Sequence, residues 1–462
     1  MRIGLLTTSY PRSPGDPAGC FVAEHAAYLA RAGHEVEVLA AGPGPEGPAV
    51  AFGVGPAPAA GVGGVDGPDG APGVVSVARA AGLDPALVPG RVSVVRVPAR
   101  PGLFDGGGAP EELGRSARAW LAGARFTAAL ARAAAVRARG WDAVAAHWLV
   151  PSALAALAAA PGLPLLAIAH SGDVHLLRRL RALGVLGALC DRPDVRLSFV
   201  SHELRRLFLE RAPRCERLSQ VCPMGIDVAR LRAARATRDG QAARDARAAR
   251  VARANANDVG GGDGPATVLF LGRLVPVKGI DHLVRAALAW RSGARLVIAG
   301  AGPDEAALRS LAAAAPPGRI SFAGEVRGAE RDRALAAADV VALPSVRMAG
   351  GRSEGLPVVA LEAMAAGAAL VASAVGGLAD LPPGAVTRVP PGDPASLAAA
   401  IDALLLDRDR LAAQVAAQDR FIPDLDWSAV GPRLLPPPRS RALDGGISFA
   451  TPRWARLLIR LA

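Results

Sequence analysis

The sequence predicts an α/β protein with two doubly wound domains. Short apolar segments of strand length alternate with helical segments along most of the chain, which is the pattern of parallel sheets flanked by helices. The alternation stops at residues 227–262, an Ala/Arg-rich helix followed by ANANDVGGGDG, and begins again at TVLFL. With 462 residues, the chain is long enough for each half to bury its own core.

The first half, residues 1–225, begins with a β-loop-α-β unit. RIGLLTT (2–8) predicts a strand, SYPRSPGDPAGC a loop, FVAEHAAYLARAG an amphipathic helix that ends at Gly33, and EVEVLA a second strand. The later predicted elements are the strands RVSVVRVPA (91–99), WDAVAAHW, PLLAIAH, RLSFVS and LSQVCPMGID, and helices over 111–139 and from Pro151.

The second half predicts another doubly wound domain over residues 266–415, preceded by a linker region at 226–265. Its predicted strands, separated by helices, are TVLFL, RLVIAG, ISFAGEV, DVVAL (339–343) and AALVAS. Pro357 in a first helical turn and Gly367 beyond the last turn mark PVVALEAMAA as a helix. Residues 416–462 are predicted to form a C-terminal tail.

Composition excludes several classes of protein. The formal net charge of +12 reflects a chain rich in Ala, Arg, Gly and Pro, and aromatic residues that stack on bases are only 4%, so nucleic acid is not expected as a partner. Four cysteines without a CxxC pair indicate neither a zinc ribbon nor a disulfide framework. Without a signal peptide or an apolar run of about 18 residues, the expected location is cytoplasmic.

One motif match is rejected. Residues 42–47, GPGPEG, fit GxGxxG after a strand, but the following PAVAFGVGPAPAAG cannot begin a helix. We therefore interpret residues 42–76 as a flexible Gly/Pro-rich insertion.

Two histidines fall at the carboxyl ends of predicted strands, where open parallel sheets place ligand-binding residues. They are His147 and His170, and the latter stands in AHSGD, where a small turn and Asp173 precede a helix. A lone histidine is more often structural than catalytic, so His147 is balanced between the two roles, while the AHSGD pattern favours function for His170. His175, His202 and His282 are interpreted as incidental.

Charged residues mark the second half. The loop after TVLFL carries Arg273 and Lys278, the only lysine of the chain, and two cations of different shape suit a diphosphate, although a solvated basic loop is the alternative. Glu362 is the only charged residue in an otherwise apolar helix, so its buried carboxylate needs donors such as two vicinal hydroxyls, unless it is a snorkelling residue on an ordinary packed helix. Glu354 precedes it on the loop, and the N–H groups of Gly355 and Leu356 lie at the helix's positive end.

Several segments in this order resemble glycosyltransferase family 4. They are the opening SYPRSPGDPAGCFVAEHAAYLARAGHEVEVLA, then AHWLVPSALAA, AHSGDVHLL, PMGID, GRLVPVKGID and EGLPVVALE. The resemblance covers nearly the whole chain outside residues 42–90 and the tail. It implies a GT-B fold, in which two Rossmann-like domains face each other across a cleft, and a retaining, metal-independent transfer of a hexose from a nucleoside-diphosphate sugar without a cofactor.

The resemblance also implies individual roles. Arg273 and Lys278 are expected to bind the diphosphate, Glu362 the ribose hydroxyls, and Glu354 the transferred hexose. In the first half, His170 and Asp173 are expected to contact the sugar, and Gly19 is expected to let the backbone approach donor or acceptor. DRD (407–409) and DLD (424–426) do not follow a sheet strand, so no metal site is expected.

The acceptor stays open, because Met224 stands where many relatives have Asn and the insertion lies near the expected acceptor side. A glycan or a lipid-linked acceptor fits. The tail ends in a short amphipathic helix with Arg453, Arg456 and Arg460, for which peripheral contact with an anionic membrane is a minority hypothesis and packing back across the domains the alternative. The alternative functions are a sugar-nucleotide epimerase on the same fold and a noncatalytic sugar-nucleotide-binding scaffold subunit.

Overall fold

A computed structural model describes residues 1–13, 16–42, 91–100, 103–104, 116–240 and 265–437. Four features predicted from the sequence lie wholly or partly outside these residues: the Gly/Pro-rich insertion beyond residue 42, the start of the helix over 111–139, the later part of the linker region 226–265 and the amphipathic end of the tail.

The chain divides into two compact units. The first contains Met1–Val200, Leu204–Cys222 and the chain from Gly431, and the second contains Ser201–Glu203 and Pro223–Val430. The predicted limit of the second domain at residue 415 falls inside the helix Arg408–Phe421. That helix and the turn after it belong to the second unit because Val415, Ile422 and Leu425 are buried in its core.

Seven parallel strands form the sheet of the first unit, in the order β3-β2-β1-β4-β5-β6-β7. The order reverses between β1 and β4, because β2 and β3 lie on one side of β1 and the later strands on the other. The strands are β1 Arg2–Thr7, β2 Glu35–Gly42, β3 Val92–Pro98, β4 Ala143–His147, β5 Leu165–Ala169, β6 Val195–Phe199 and β7 Ser219–Val221.

Six parallel strands form the sheet of the second unit, in the order β10-β9-β8-β11-β12-β13. Here the order reverses between β8 and β11. The strands are β8 Thr267–Leu271, β9 Arg295–Ala299, β10 Ile320–Gly324, β11 Val340–Leu343, β12 Ala369–Ser373 and β13 Thr387–Val389.

Helices connect successive parallel strands. In chain order they are α1 Cys20–Arg31, α2 Ala117–Arg137, α3 Leu154–Ala159, α4 Gly172–Arg179, α5 Leu183–Cys190, α6 His202–Leu209, α7 at residues 228–240, α8 Ile280–Ala289, α9 Glu305–Ala312, α10 Gly328–Ala337, α11 Val358–Ala365, α12 Pro394–Leu405, α13 Arg408–Phe421 and α14 Trp427–Val430. Among the described residues, no helix combines the length and the apolar character needed to cross a membrane.

Burial explains why the strands are apolar without alternation. Every residue of β8 is buried, and successive side chains enter opposite cores: Val268 and Phe270 pack in one cluster, and Leu269 and Leu271 in the other. A parallel sheet covered on both faces therefore needs a continuous apolar run rather than alternating polar residues. This requirement made the central strands visible in the sequence, whereas β13, a short and only partly buried strand at the edge of the second sheet, was not predicted.

Candidate functional site

In the second unit, two loops meet at the carboxyl ends of β8 and β11, where the strand order reverses. Open α/β sheets bind ligands at such a switch point. The main-chain N–H of Val346 donates to the carbonyl oxygen of Val277 at 2.9 Å, which joins the two loops. Gly279 has φ 62°, and a Cβ atom there would lie 2.2 Å from the carbonyl oxygen of Pro344. Only glycine therefore allows this close approach.

The switch point of the second unit brings together two predicted site residues. Lys278 Nζ donates to Glu354 Oε2 at 2.7 Å, and the two side chains are only 13% and 15% exposed. Arg273 lies on the same loop as Lys278 and is exposed to solvent. Lys278 and Glu354 are 76 residues apart in the sequence, so the tertiary fold alone makes this pair.

Two glycines fix the backbone beside Glu354. The N–H of Gly377 donates to the carbonyl oxygen of Gly355. A Cβ atom on Gly376, which has φ 58°, would lie 2.1 Å from the carbonyl oxygen of Glu354. Gly355 is buried and Leu356 partly buried immediately before α11, whose N-cap residue is Pro357. The turn after β12 therefore holds in place the segment where a ligand is predicted to approach the α11 N-terminus.

Glu362 is buried on α11, and its partner is an arginine that the sequence analysis did not identify. Arg331 of α10 donates to both carboxylate oxygens, with Nη1 2.6 Å from Oε1 and Nη2 in contact with Oε2. Burial raises the pKa of Glu362, but the charges of Arg331 and Arg230 outweigh burial and hold that pKa below its usual value. The protein therefore supplies donors to this buried carboxylate itself, and the contact of Glu362 with ribose hydroxyls stays a prediction. Arg331 stands among other charged residues in GAERDRALAA, and no local signal distinguishes it.

In the first unit, the switch point lies between β1 and β4. Gly19 ends the loop after β1 with φ 70°, and a Cβ atom there would lie 2.3 Å from the carbonyl oxygen of Ser9. The loop folds back on itself through this contact, so glycine is required here as it is at Gly279. The prediction that Gly19 lets a ligand approach the backbone is not tested by this observation.

Three histidines of the first unit form a hydrogen-bonded chain, which we call the imidazole relay: His25 of α1, His147 at the end of β4 and His170 after β5. Nδ1 of His25 lies 2.9 Å from Nε2 of His147, and Nδ1 of His147 lies 3.0 Å from Nε2 of His170. At the other end, Nε2 of His25 lies 3.0 Å from the carbonyl oxygen of Leu434. The relay links the two predicted histidines directly.

The relay is kept uncharged by its surroundings. Burial lowers the pKa of His25 to about 4 and that of His170 to about 3, and it also lowers the pKa of His147 well below its usual value. The neighbouring imidazoles add to the effect at His147 and His170 because like charges in contact disfavour one another. The sequence analysis missed His25. Its only local signal is a histidine within the apolar face of FVAEHAAYLA.

Asp173 is buried and accepts main-chain hydrogen bonds. One carboxylate oxygen accepts from the N–H of Leu149 at 2.7 Å, and the other accepts from the N–H groups of His170 and Ser171 at 3.2 and 3.0 Å. Burial raises the pKa of Asp173, and these N–H groups oppose the rise. The carboxylate therefore joins the loops after β4 and β5 and positions the backbone of His170. This role of Asp173 was not predicted from the sequence.

Comparison with known proteins identifies the second unit most directly. Residues 265–407 match the family model described as glycosyl transferases group 1. A GDP-mannose-dependent alpha-(1-6)-phosphatidylinositol monomannoside mannosyltransferase of Mycobacterium tuberculosis is 35% identical over 268 residues, which are 56% of this chain and 64% of the relative. The chain spans between 38% and 64% of the length of the first curated relatives that it matches.

Solved structures extend the likeness to both units. Sucrose-phosphate synthase from Thermosynechococcus elongatus superposes with a TM-score of 0.64 at 20% identity and covers 94% of this chain and 97% of its own. Anabaena Alr3699/HepE in complex with UDP-glucose gives 0.59 at 19% identity, over 94% and 98%. Identities this low show the fold alone. The chain therefore has the GT-B fold of two Rossmann-like doubly wound domains, and its residues 265–407 match the model of the glycosyl transferases group 1 family.

Proposed function

We propose that this chain is a retaining glycosyltransferase of family 4, which moves a hexose from a nucleoside-diphosphate sugar to an acceptor without a metal ion. The observation that carries the proposal is the Lys278–Glu354 ion pair at the switch point of the group 1 domain. A cation and a carboxylate held side by side at this edge suit a donor that is anionic at its diphosphate and rich in hydroxyl groups at its sugar.

In this proposal, the second unit stabilises the leaving group. The bond between the anomeric carbon and the diphosphate oxygen breaks, and negative charge grows on the departing nucleoside diphosphate. Lys278 and Arg273 offer fixed cations to that charge. The N–H groups of Gly355 and Leu356 lie just before α11, whose N-terminus adds a partial positive charge. No metal is needed for this role.

Glu362 and Glu354 orient the donor. The pKa of Glu362 is held below its usual value, so the side chain is ionised, and its oxygens retain lone pairs to accept hydrogen bonds from ribose hydroxyls beside Arg331. Glu354 faces the hexose while it remains paired with Lys278. We assign the corresponding sugar contacts of the first unit to His170, with Gly19, His147 and Asp173 shaping the loops around it.

The relatives suggest which donors to test first. The mycobacterial mannosyltransferase is named as GDP-mannose-dependent, and the Anabaena neighbour was solved with UDP-glucose. The proposed acceptor is a glycan or a lipid-linked sugar, and the proposed pathway class is glycan, polysaccharide or glycolipid biosynthesis. A cytoplasmic location with peripheral contact to an anionic membrane also remains a proposal.

The first experiment is thermal stabilisation by UDP, GDP, ADP and their sugar conjugates, because a ligand that binds only the folded state raises its stability. Lys278→Ala should abolish the shift. Arg291→Ala is the matched control, because it removes a cation of the same unit whose side chain is 83% exposed. It should keep the shift. A folded protein that no nucleotide stabilises would overturn the proposal.

Turnover then separates the alternatives. With the stabilising donor and a candidate acceptor, Lys278→Ala should lower kcat by about 10²–10³-fold, as the loss of one charge-stabilising group does in other enzymes. Added EDTA should leave the rate unchanged. Release of an isomerised sugar nucleotide without an acceptor would instead identify an epimerase, and binding without turnover would identify a scaffold subunit.

A further inference from the structure

The imidazole relay ends at a group that can only accept. The carbonyl oxygen of Leu434 lies 3.0 Å from Nε2 of His25, so this nitrogen must carry a hydrogen atom and donate it. Leu434 lies in the segment that begins at Gly431 and returns the chain to the first unit. The chain's last described turn therefore fixes the protonated nitrogen of a buried histidine on α1.

In a neutral relay, this one contact determines every tautomer. A neutral imidazole has one N–H donor and one acceptor nitrogen. If Nε2 of His25 donates to Leu434, Nδ1 of His25 must accept from Nε2–H of His147. Nδ1 of His147 must then accept from Nε2–H of His170. The remaining nitrogen, Nδ1 of His170, is left with its lone pair.

The premise of neutrality is supported by the location of the relay. His25 and His147 are completely buried, and burial lowers the pKa of each well below neutrality. An added proton at any member would require a second N–H on that ring and would place an N–H on Nδ1 of His170 or break a contact. The low pKa values exclude this at neutral pH.

His170 is also held at one orientation. Its ring lies nearly parallel to that of His147, at an interplanar angle of 11°, and the rings of Phe21 and Trp148 lie 5.0 and 4.9 Å away between centroids. Asp173 holds the main chain of the same residue. Among the described residues, the structure shows no hydrogen bond to Nδ1 of His170.

We propose that His25 and His147, anchored by the carbonyl of Leu434, are positioning residues that hold His170 as its Nε2–H tautomer, so that Nδ1 accepts a hydrogen bond from a hydroxyl group of the sugar substrate. The tautomer itself is independent of the enzymatic activity, while the identity of the hydroxyl donor rests on the proposed function. A ring that presents an acceptor favours a neutral hydroxyl group over a group that can only accept, such as a phosphate oxygen.

The decisive measurement is made on the full chain. With ¹⁵N-labelled histidine, long-range ¹H–¹⁵N spectra distinguish a protonated ring nitrogen from one with a lone pair, and only seven histidines need assignment by single substitution. At neutral pH we expect Nδ1 with a lone pair and Nε2–H at His25, His147 and His170. A protonated Nδ1 at His170 in the folded wild-type protein would overturn the proposal, whatever any variant does.

A variant tests the coupling along the relay. His25→Leu removes the acceptor for His147 Nε2–H, so the hydrogen bond between His147 and His170 can take either direction. A protonated Nδ1 should then appear at His170. The rate kcat/KM should fall by about five- to tenfold, the value of one neutral hydrogen bond. His175→Leu is the control, because it removes a buried histidine that takes no part in the relay, and His170 should keep its tautomer. An unchanged His170 in folded His25→Leu would contradict the coupling.

Titration separates this inference from the proposed function. GDP, GDP-mannose, UDP and UDP-glucose are added in turn to the labelled protein. We expect the sugar conjugate that binds, but not its parent diphosphate, to shift Nδ1 of His170 in the direction of an accepted hydrogen bond while Nε2–H persists. If the tautomer is as proposed but no sugar nucleotide moves Nδ1, the recognition half is overturned and the tautomer result stands. If sugar nucleotides bind and the tautomer is wrong, the proposed function survives without the relay.

Discussion

In both units the chain leaves the first strand of its sheet through a loop that ends at a left-handed glycine and then enters a helix. The glycines, Gly19 and Gly279, have φ 70° and 62°. A Cβ atom at either would lie 2.3 or 2.2 Å from a carbonyl oxygen. The two loops therefore share a left-handed glycine that packs against a carbonyl oxygen. They do so at the same topological position, between the first strand and the strand where the order reverses.

The side chains at the two positions differ in charge. The second unit places the Lys278–Glu354 pair at its switch point and pairs Arg331 with Glu362 in the adjoining helices. The first unit places three imidazoles there, whose pKa values are lowered until they are neutral. On the proposed function, topology decides where the ligand binds, while the residues decide the chemistry that they recognise: an anion for the second unit and neutral hydroxyl groups for the first.

The largest expected effect comes from breaking the charged region. Arg331→Leu should lower the free energy of unfolding by about 3–5 kcal/mol, because it leaves the carboxylate of Glu362 buried without its partner. Urea denaturation with an unchanged m-value would measure the loss. Arg333→Leu on the same helix replaces an exposed residue and should change the free energy of unfolding by less than about 0.5 kcal/mol.

A double variant sharpens this result. Arg331→Leu combined with Glu362→Leu removes both charges, so it should be more stable than Arg331→Leu alone. A double variant whose loss equals the sum of the two single losses would show that the two side chains do not interact.

The neutral histidines of the imidazole relay should instead make the stability of the protein depend on pH. The pKa of His25 falls from 6.5 in the unfolded chain to about 4 in the fold, so the unfolded state binds more protons between these values. Stability should be constant above pH 6.5 and decrease by up to about 3 kcal/mol per such histidine as the pH falls to about 4. Asp173 has the opposite effect on stability at lower pH. Its pKa is raised in the fold, so as the pH falls the folded state binds this proton before the unfolded state does.

The pH window distinguishes the two regions. The pKa of Glu362 is lowered from its usual 4.5, so its contribution begins to be lost only below about pH 4.5, whereas the decline due to the histidines begins at pH 6.5. Thermal unfolding measured in steps from neutral pH to pH 4.5 would show the decline, and His25→Leu should make it shallower. A melting temperature that stays constant over this range would refute the neutral relay.

The smallest effect should come from replacing the left-handed glycine that the two loops share. Gly279→Ala should destabilise the protein by about 1–3 kcal/mol and weaken nucleotide binding, because the new methyl group meets Pro344 and separates the two loops. Gly293→Ala is matched for a φ of 71° but has open space around it. It should cost only the backbone term, about 1 kcal/mol, and leave binding intact. Equal effects of the two substitutions would indicate that the contact with Pro344 is unimportant.

Much of the fold and part of the site follow from local patterns. Strands such as DVVAL were predictable because a doubly covered parallel sheet requires continuous apolar segments, and α11 because Pro357 and Gly367 mark its ends. Lys278 was distinguished by being the only lysine, and Glu362 by its apolar surroundings. The limit of the second domain at residue 415 was less predictable, because α13 continues past it into turns that complete the core.

The sequence by itself determined the fold class, the start of a second α/β domain after residue 264, and the places where loops leave the strands. Each of these depends on local periodicity and turn residues. The tertiary structure alone decided the partners. The partners, which are Arg331 for Glu362, His25 for His147 and the Leu434 carbonyl for His25, come from distant parts of the chain. Buried polar groups must find donors or acceptors somewhere in the fold, and no local pattern states which distant residue supplies them.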